Sequence, residues 1–177
     1  HADRREHDST LEAQIKTMET AFRMQAAVPD VLDVAREPEH VRRLYGLDSD
    51  DEHERLYALQ ALRARRLVEA GTRFVTTVNG PSITWDTHKD NFNGLKNRLV
   101  PPMEQAYAAL LDDLKERGLL DDTLVIWGGE FGRTPMAQTD SGAGATTKPG
   151  RDHQKDAFTM WMAGGGVKAG MTFGGTD

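Results

Sequence analysis

Thr123-Leu124-Val125-Ile126-Trp127-Gly128-Gly129-Glu130-Phe131-Gly132-Arg133 sets a short apolar run directly against a glycine-flanked acid. The run has the length and the β-branched and aromatic content of a buried strand. Glycines at its exit let the backbone approach a ligand closely or take a positive φ. A carboxylate at the end of a buried strand is costly unless it is paired or coordinated. Glu130 therefore has two readings. It braces the turn by pairing with Arg133, or it belongs to a site; the flanking glycines favour the site. Arg133 adds a planar fork suited to an anionic group.

Working outward, Arg73 to Val78 reads as a second strand, with Phe74, Val75 and Val78 apolar, and Ala157 to Ala163 as a third. Helices fill the intervals. Residues 9–27 carry Leu11, Ile15, Met18 and Phe22 on one face behind a Ser9–Glu12 capping pattern, and Pro29 is expected to end that helix. Shorter helical pieces follow over 31–36 and 39–45, with Gly46 as a stop. A long helix spans 52–70 and closes at Gly71. Another spans 94–117, restarted at Pro101-Pro102 and closed at Gly118. Residues 139–149, rich in Gly, Thr and Ser, read as a mobile loop. Helices alternating with strands predict an α/β fold, with a mostly parallel sheet flanked by helices. Residues 1–50 form a helical segment that packs on the sheet or caps it, and 51–177 form the α/β part.

Two further motifs sit at strand borders. Trp85-Asp86-Thr87-His88 lies in the loop after the 73–78 strand, and Gly150-Arg151-Asp152-His153 precedes the last strand. In an open α/β sheet the crevice at the carboxyl ends of the strands is where ligands bind. Asp86 and His88 can reach one ion only if the backbone turns between them; otherwise Asp86 makes a local turn and His88 is exposed. His153 is the usual kind of metal ligand or acid–base group, and Asp152 is either a ligand or the group that orients an imidazole. Oxygen and nitrogen donors without sulfur suit a hard or borderline divalent ion, such as zinc, calcium, magnesium or manganese. His1, His7, His40 and His53 sit in charged helical surroundings and read as surface residues. Gly164-Gly165-Gly166 lacks the Gly-Lys-Ser/Thr of a phosphate loop and reads as a tight turn. Thr84, Thr87 and Thr134 carry hydroxyls that could be nucleophiles in principle, but the sequence supports that role for none of them.

The bulk properties bound the rest. The 177 residues carry a formal charge of −6, with an isoelectric point near 5.5. That balance argues against a nucleic-acid surface. The absence of cysteine excludes disulfides and thiolate metal sites. No apolar run reaches the roughly 18 residues that a membrane span needs.

Taken together, the three motifs, with Leu67-Val68-Glu69-Ala70-Gly71-Thr72-Arg73-Phe74-Val75 before them and Met160-Trp161-Met162-Ala163-Gly164-Gly165-Gly166 after them, resemble the DUF1501 family. Its members are sulfatase-like bacterial proteins, abundant in planctomycetes, placed in the alkaline phosphatase superfamily. The resemblance implies an alkaline-phosphatase-like domain of which this chain is a C-terminal fragment, in a periplasmic or exported protein. It implies hydrolysis of a sulfate or phosphate ester, with a sulfated glycan as one candidate substrate. By the same resemblance Asp86, His88, Glu130 and His153 hold a divalent metal and Arg133 offsets charge on the transferring group. The nucleophile is expected upstream of the chain. Phe131 departs from the pattern, standing where two-metal phosphatases have a second His. The alternatives are a metal-dependent phosphomutase on the same fold and a non-catalytic relative that binds glycans or serves a surface assembly.

Overall fold

The computed structural model describes residues 2–78, 85–137 and 149–175, with side chains from Ser9 onward. Its framework is helical. Helix α1 (Ala2–Leu32) is followed by a 3₁₀ turn (Val34–Arg36), α2 (Glu39–Tyr45) and α3 (Glu52–Glu69). After the Trp85 to His88 segment come the short α4 (Asn91–Gly94), a π-helical turn (Leu95–Leu99) and α5 (Val100–Glu116). Pro101 and Pro102 fall in the first turn of α5, where missing N–H groups cost no helical bond. Asp51 caps α3 by accepting from the backbone N–H groups of His53 and Glu54.

Among the described residues the expected parallel sheet does not form. Two small antiparallel pairs stand in its place. Strand β1 (Leu124–Trp127) pairs with β4 (Trp161–Gly164), with Trp127 opposite Trp161 and Leu124 opposite Gly164. Strand β2 (Gly132–Arg133) pairs with β3 (His153–Gln154), with Arg133 opposite His153. Residues 73–78, expected as a strand, join no ladder, and Phe74 and Val78 stay 85% and 69% exposed. A strand is stabilised by its neighbours' ladder and side chains; without a partner, an apolar pattern alone leaves this segment irregular. The last strand begins at Trp161, later than expected. Gly164, Gly165 and Gly166 all have positive φ and form the tight turn the sequence indicates. The 139–149 loop expected to be mobile lies almost wholly outside the described residues.

The long helix also differs from expectation. It continues through Pro29 to Leu32. Pro29 frees one carbonyl, that of Gln25, and both residues are exposed, so water can serve it. The last-turn carbonyls of α1 are closed from outside the helix. Arg66 Nε donates to the Val31 carbonyl at 2.5 Å and Arg66 Nη2 to that of Asp30 at 3.0 Å. Leu11, Ile15, Met18 and Phe22 do share a face, but all four are exposed.

The core is the seam between α3 and α5, edged by α2. Tyr57, Ala58, Ala61 and Leu62 of α3 pack with Ala106, Ala109, Leu110 and Leu114 of α5, and with Val41 and Tyr45 of α2. Leu62 and Leu114 are almost fully buried; each such burial contributes about 1.5–3 kcal/mol. The small residues Ala58, Ala61, Ala106 and Ala109 let the helix axes approach.

A buried charge cluster crosses the same seam. The Arg65 side chain is 1% exposed. Its Nη2 lies 2.8 Å from Glu37, its Nε 2.9 Å from Asp113 and its Nη1 2.5 Å from Glu69. Only the Glu69 contact is well aligned as a hydrogen bond; the other two are held by distance and charge. Tyr45 Oη donates to Asp113 at 3.0 Å. Arg66 pairs with Glu37, and Arg117 with Asp113 and Glu69. Burial pushes the Glu37 carboxyl up, but Arg65 and Arg66 outweigh it and hold it below the usual glutamate range.

Removing one partner from a buried ion pair leaves an uncompensated charge. Arg65→Met should therefore lower unfolding free energy by about 3–5 kcal/mol, measured by urea unfolding. A depressed carboxyl stabilises the fold above its unfolded pKa, and that contribution is lost as pH falls through the folded value. Stability should therefore drop as pH falls below Glu37's ordinary value of 4.5. Glu37→Gln should be less stable at neutral pH and lose less on acidification; an acid limb as steep as the wild type's would contradict this.

Candidate metal centre

The motif at 85–88 hangs from α3. Trp85 Nε1 donates to Tyr57 Oη at 2.8 Å, and the Trp85 ring meets Trp127 of β1 edge-on at 6.3 Å. Beyond Trp85 the backbone turns tightly twice. The Thr87 N–H donates to the Trp85 carbonyl at 3.0 Å and the His88 N–H to the Asp86 carbonyl at 3.2 Å. These three-residue turns bring Asp86 and His88 to the same side. Thr87 points the other way, buried, with its hydroxyl bonded to Asn91 of α4.

Three side chains meet at one point. Asp86 Oδ1 lies 2.8 Å from His88 Nε2 and 2.6 Å from His153 Nε2. The imidazole rings are 4.8 Å apart. One ligand atom from each of Asp86, His88 and His153 falls within 4.8 Å of the others. The hydrogen bond from His153 is the main cause holding the Asp86 carboxyl below its usual range, joined by the charges of His88, His153 and Arg133. Asp152 stands behind the pair. Its Oδ1 accepts from the His153 backbone N–H at 2.8 Å and lies 3.9 Å from His88 Nδ1. A carboxylate on the far nitrogen of an imidazole is the usual support of a metal-ligating His.

Glu130 does not join this group. It is exposed, and its neighbour Phe131 takes the place beside the cluster, with its ring 4.4 Å from that of His153. The glycines around Glu130 serve backbone packing. A Cβ on Gly132 would meet the Ala157 carbonyl at 1.9 Å, and one on Gly128 would meet Met160 at 3.2 Å. Arg133 is near, with Nη1 3.5 Å from Asp86 Oδ1, but both terminal nitrogens donate to backbone carbonyls. Thr134 Oγ1 donates to the Met136 carbonyl, and Thr84 lies outside the described residues.

The profile described as "Protein of unknown function (DUF1501)" matches residues 1–177. The chain belongs to the DUF1501 family. Searches of curated proteins and of solved structures each returned no match. No helix among the described residues of this DUF1501 chain is long and apolar enough to cross a membrane.

Three contacts of the site are not legible in the sequence, although the residues that make them, Phe131, Arg151 and Gly150, lie in motifs marked there. Phe131 packs on His153. Arg151 Nη1 donates to the carbonyls of Thr134 and Pro135, each at 2.6 Å, while its guanidinium lies 5.3 Å over the Phe92 ring. Gly150 lets its strand run against the His88 loop, where a Cβ would stand 1.8 Å from the His88 carbonyl. The Asn91 N–H donates to the Pro149 carbonyl beside it at 3.3 Å. Gly150→Ala should therefore push the two loops apart. The His88–His153 contact should be lost, seen as altered imidazole resonances, with a modest fall in melting temperature. Unchanged resonances would show that the close approach is not required.

Proposed function

We propose that this chain supplies the metal-holding part of a metal-dependent sulfuric or phosphoric ester hydrolase. The observation that carries the reading is the convergence of Asp86, His88 and His153, separated by up to 67 residues, on one carboxylate oxygen. Two imidazole nitrogens and a carboxylate oxygen, backed by Asp152, make a donor set that fits zinc or manganese better than calcium or magnesium, which favour all-oxygen sites. A divalent ion bound there supplies a Lewis acid for the ester oxygen. Asp86 would offset the ion's charge and His88 and His153 would fix its place, with the Asp152 carboxylate bonded to the His153 backbone N–H and adding negative charge 3.9 Å from His88 Nδ1. Phe131 covers one face of His153 and supports a one-ion centre. The ester chemistry rests on the resemblance of DUF1501 proteins to sulfatase-like members of the alkaline phosphatase superfamily.

A non-catalytic, metal-bound role is the second reading. It draws on the committed hydroxyls of Thr87 and Thr134 and on the engaged Arg133 fork. Stoichiometric metal without turnover would favour it.

The test is metal content together with hydrolysis of aryl sulfate and aryl phosphate by the intact protein. One equivalent of zinc or manganese is expected to be retained, and Asp86→Asn and His153→Ala should each abolish both metal and turnover. Glu130→Gln should keep its metal. Turnover that survives complete chelation, or Asp86→Asn with full metal content, would overturn the reading.

A further inference from the structure

We infer that Arg133 is a positioning residue that locks the Asp86 loop to the His153 strand, and that it does not bind the substrate's anionic group; the inference rests on the metal-centre reading above. Its Nη2 donates to the Trp85 carbonyl at 2.7 Å, and its Nη1 to the Arg151 carbonyl at 3.0 Å. Trp85 immediately precedes Asp86, and Arg151 lies two residues before His153. The guanidinium is a rigid planar fork, so the two carbonyls are held at a fixed spacing. Its own backbone extends the link, because Arg133 stands opposite His153 in the β2–β3 ladder. The neighbouring Thr134 N–H donates to the Asp152 carbonyl at 2.9 Å. One residue thereby joins the loop carrying one ligand to the strand carrying another. Arg151 completes the clamp from the other side, reaching back to the Thr134 and Pro135 carbonyls.

The alternative role for Arg133 is to hold a sulfate or phosphate group. That role needs a pair of N–H groups turned together toward the anion; one N–H of each terminal nitrogen is already committed to a carbonyl, so the fork is oriented by the clamp and only its remaining N–H groups could face a ligand. Electrostatics sharpens the contrast. A cation 3.5 Å from Asp86 Oδ1 opposes a second cation at the same oxygen. By charge alone, removing Arg133 should tighten metal binding. By the clamp, removing it should weaken metal binding, because the ligands no longer stand together.

Zinc affinity of the intact protein, measured by competition with a chromogenic chelator, decides between them. Arg133→Ala should lower zinc affinity about 10–100-fold, the usual cost of losing a group that orients ligands. Arg133→Lys keeps the charge but not the fork, and should lose affinity to a similar degree. Millimolar guanidinium ion should restore part of the affinity of Arg133→Ala and none of that of Arg133→Lys. Should Arg133→Ala fail to fold, Arg133→Lys carries the test. Wild-type or tighter zinc affinity in both variants, with weakened inhibition by inorganic sulfate or phosphate, would overturn the inference alone. A wild-type protein that takes up no zinc would overturn the metal-centre reading, and this inference with it.

Discussion

Arg65 is a guanidinium with almost no access to water, held in the seam where α3 meets α5. Its charge cannot be left unmatched there, since an isolated buried ion is costly by several kcal/mol or more. Three carboxylates answer it and its companions: Glu37 after the first 3₁₀ turn, Glu69 at the end of α3 and Asp113 within α5. Arg66 and Arg117 bring the cluster to three cations against three anions. Because these groups come from the segment before α2, from α3 and from α5 and the residue after it, and because Arg66 also holds the last carbonyls of α1, their pairing sets how those elements meet. The apolar seam of Leu62, Leu110 and Leu114 supplies much of the burial energy, and the charge cluster supplies the register.

The site depends on that frame through a short mechanical chain. Tyr57 on α3 holds Trp85, Trp85 meets Trp127 on β1, and the next residue is Asp86. On the other side, β2 carries Arg133, with Phe131 just before it, to the strand that bears His153. The two halves touch through Arg133, Arg151 and the close passage of Gly150 past His88. The Asp86–His88–His153 cluster is therefore built on loops, yet each loop is fastened within one or two residues of the side chain it contributes. Half-exposed side chains held this way keep access to solvent and would lose little entropy on binding an ion.

Sequence patterns revealed the helices well, because amphipathic period, capping acids and stop glycines are local. Asp51 before α3, Gly46 after α2 and Pro101-Pro102 at α5 all act as their residue types require. The sheet was misread because strand formation is not local. Residues 73–78 have an apolar pattern but no paired neighbour, and β1 joins β4 antiparallel where a parallel arrangement was expected. The motifs at 85–88 and 150–153 contain Asp86, His88 and His153, which the fold brings together, and the two tight turns between Trp85 and His88 supply the bend that Asp86 and His88 need. Glu130 misled for a clear reason. Glycines that permit positive φ and glycines that permit close packing look alike in sequence, and Gly132 is the second kind, pressed against the Ala157 carbonyl. The stacking of Phe131 on His153 joins residues far apart in the chain, and nothing near Phe131 announces it.

The central claim is that two imidazoles and one carboxylate form a single cation site. Side-chain nitrogen-15 NMR of the histidines addresses it directly, because it reports each Nε2 separately. Adding one equivalent of zinc should shift the Nε2 resonances of His88 and His153 together, leave His40 and His53 unchanged, and saturate at one ion per chain. A titration in which only one of the two responds, or in which the surface histidines respond in parallel with them, would contradict the account.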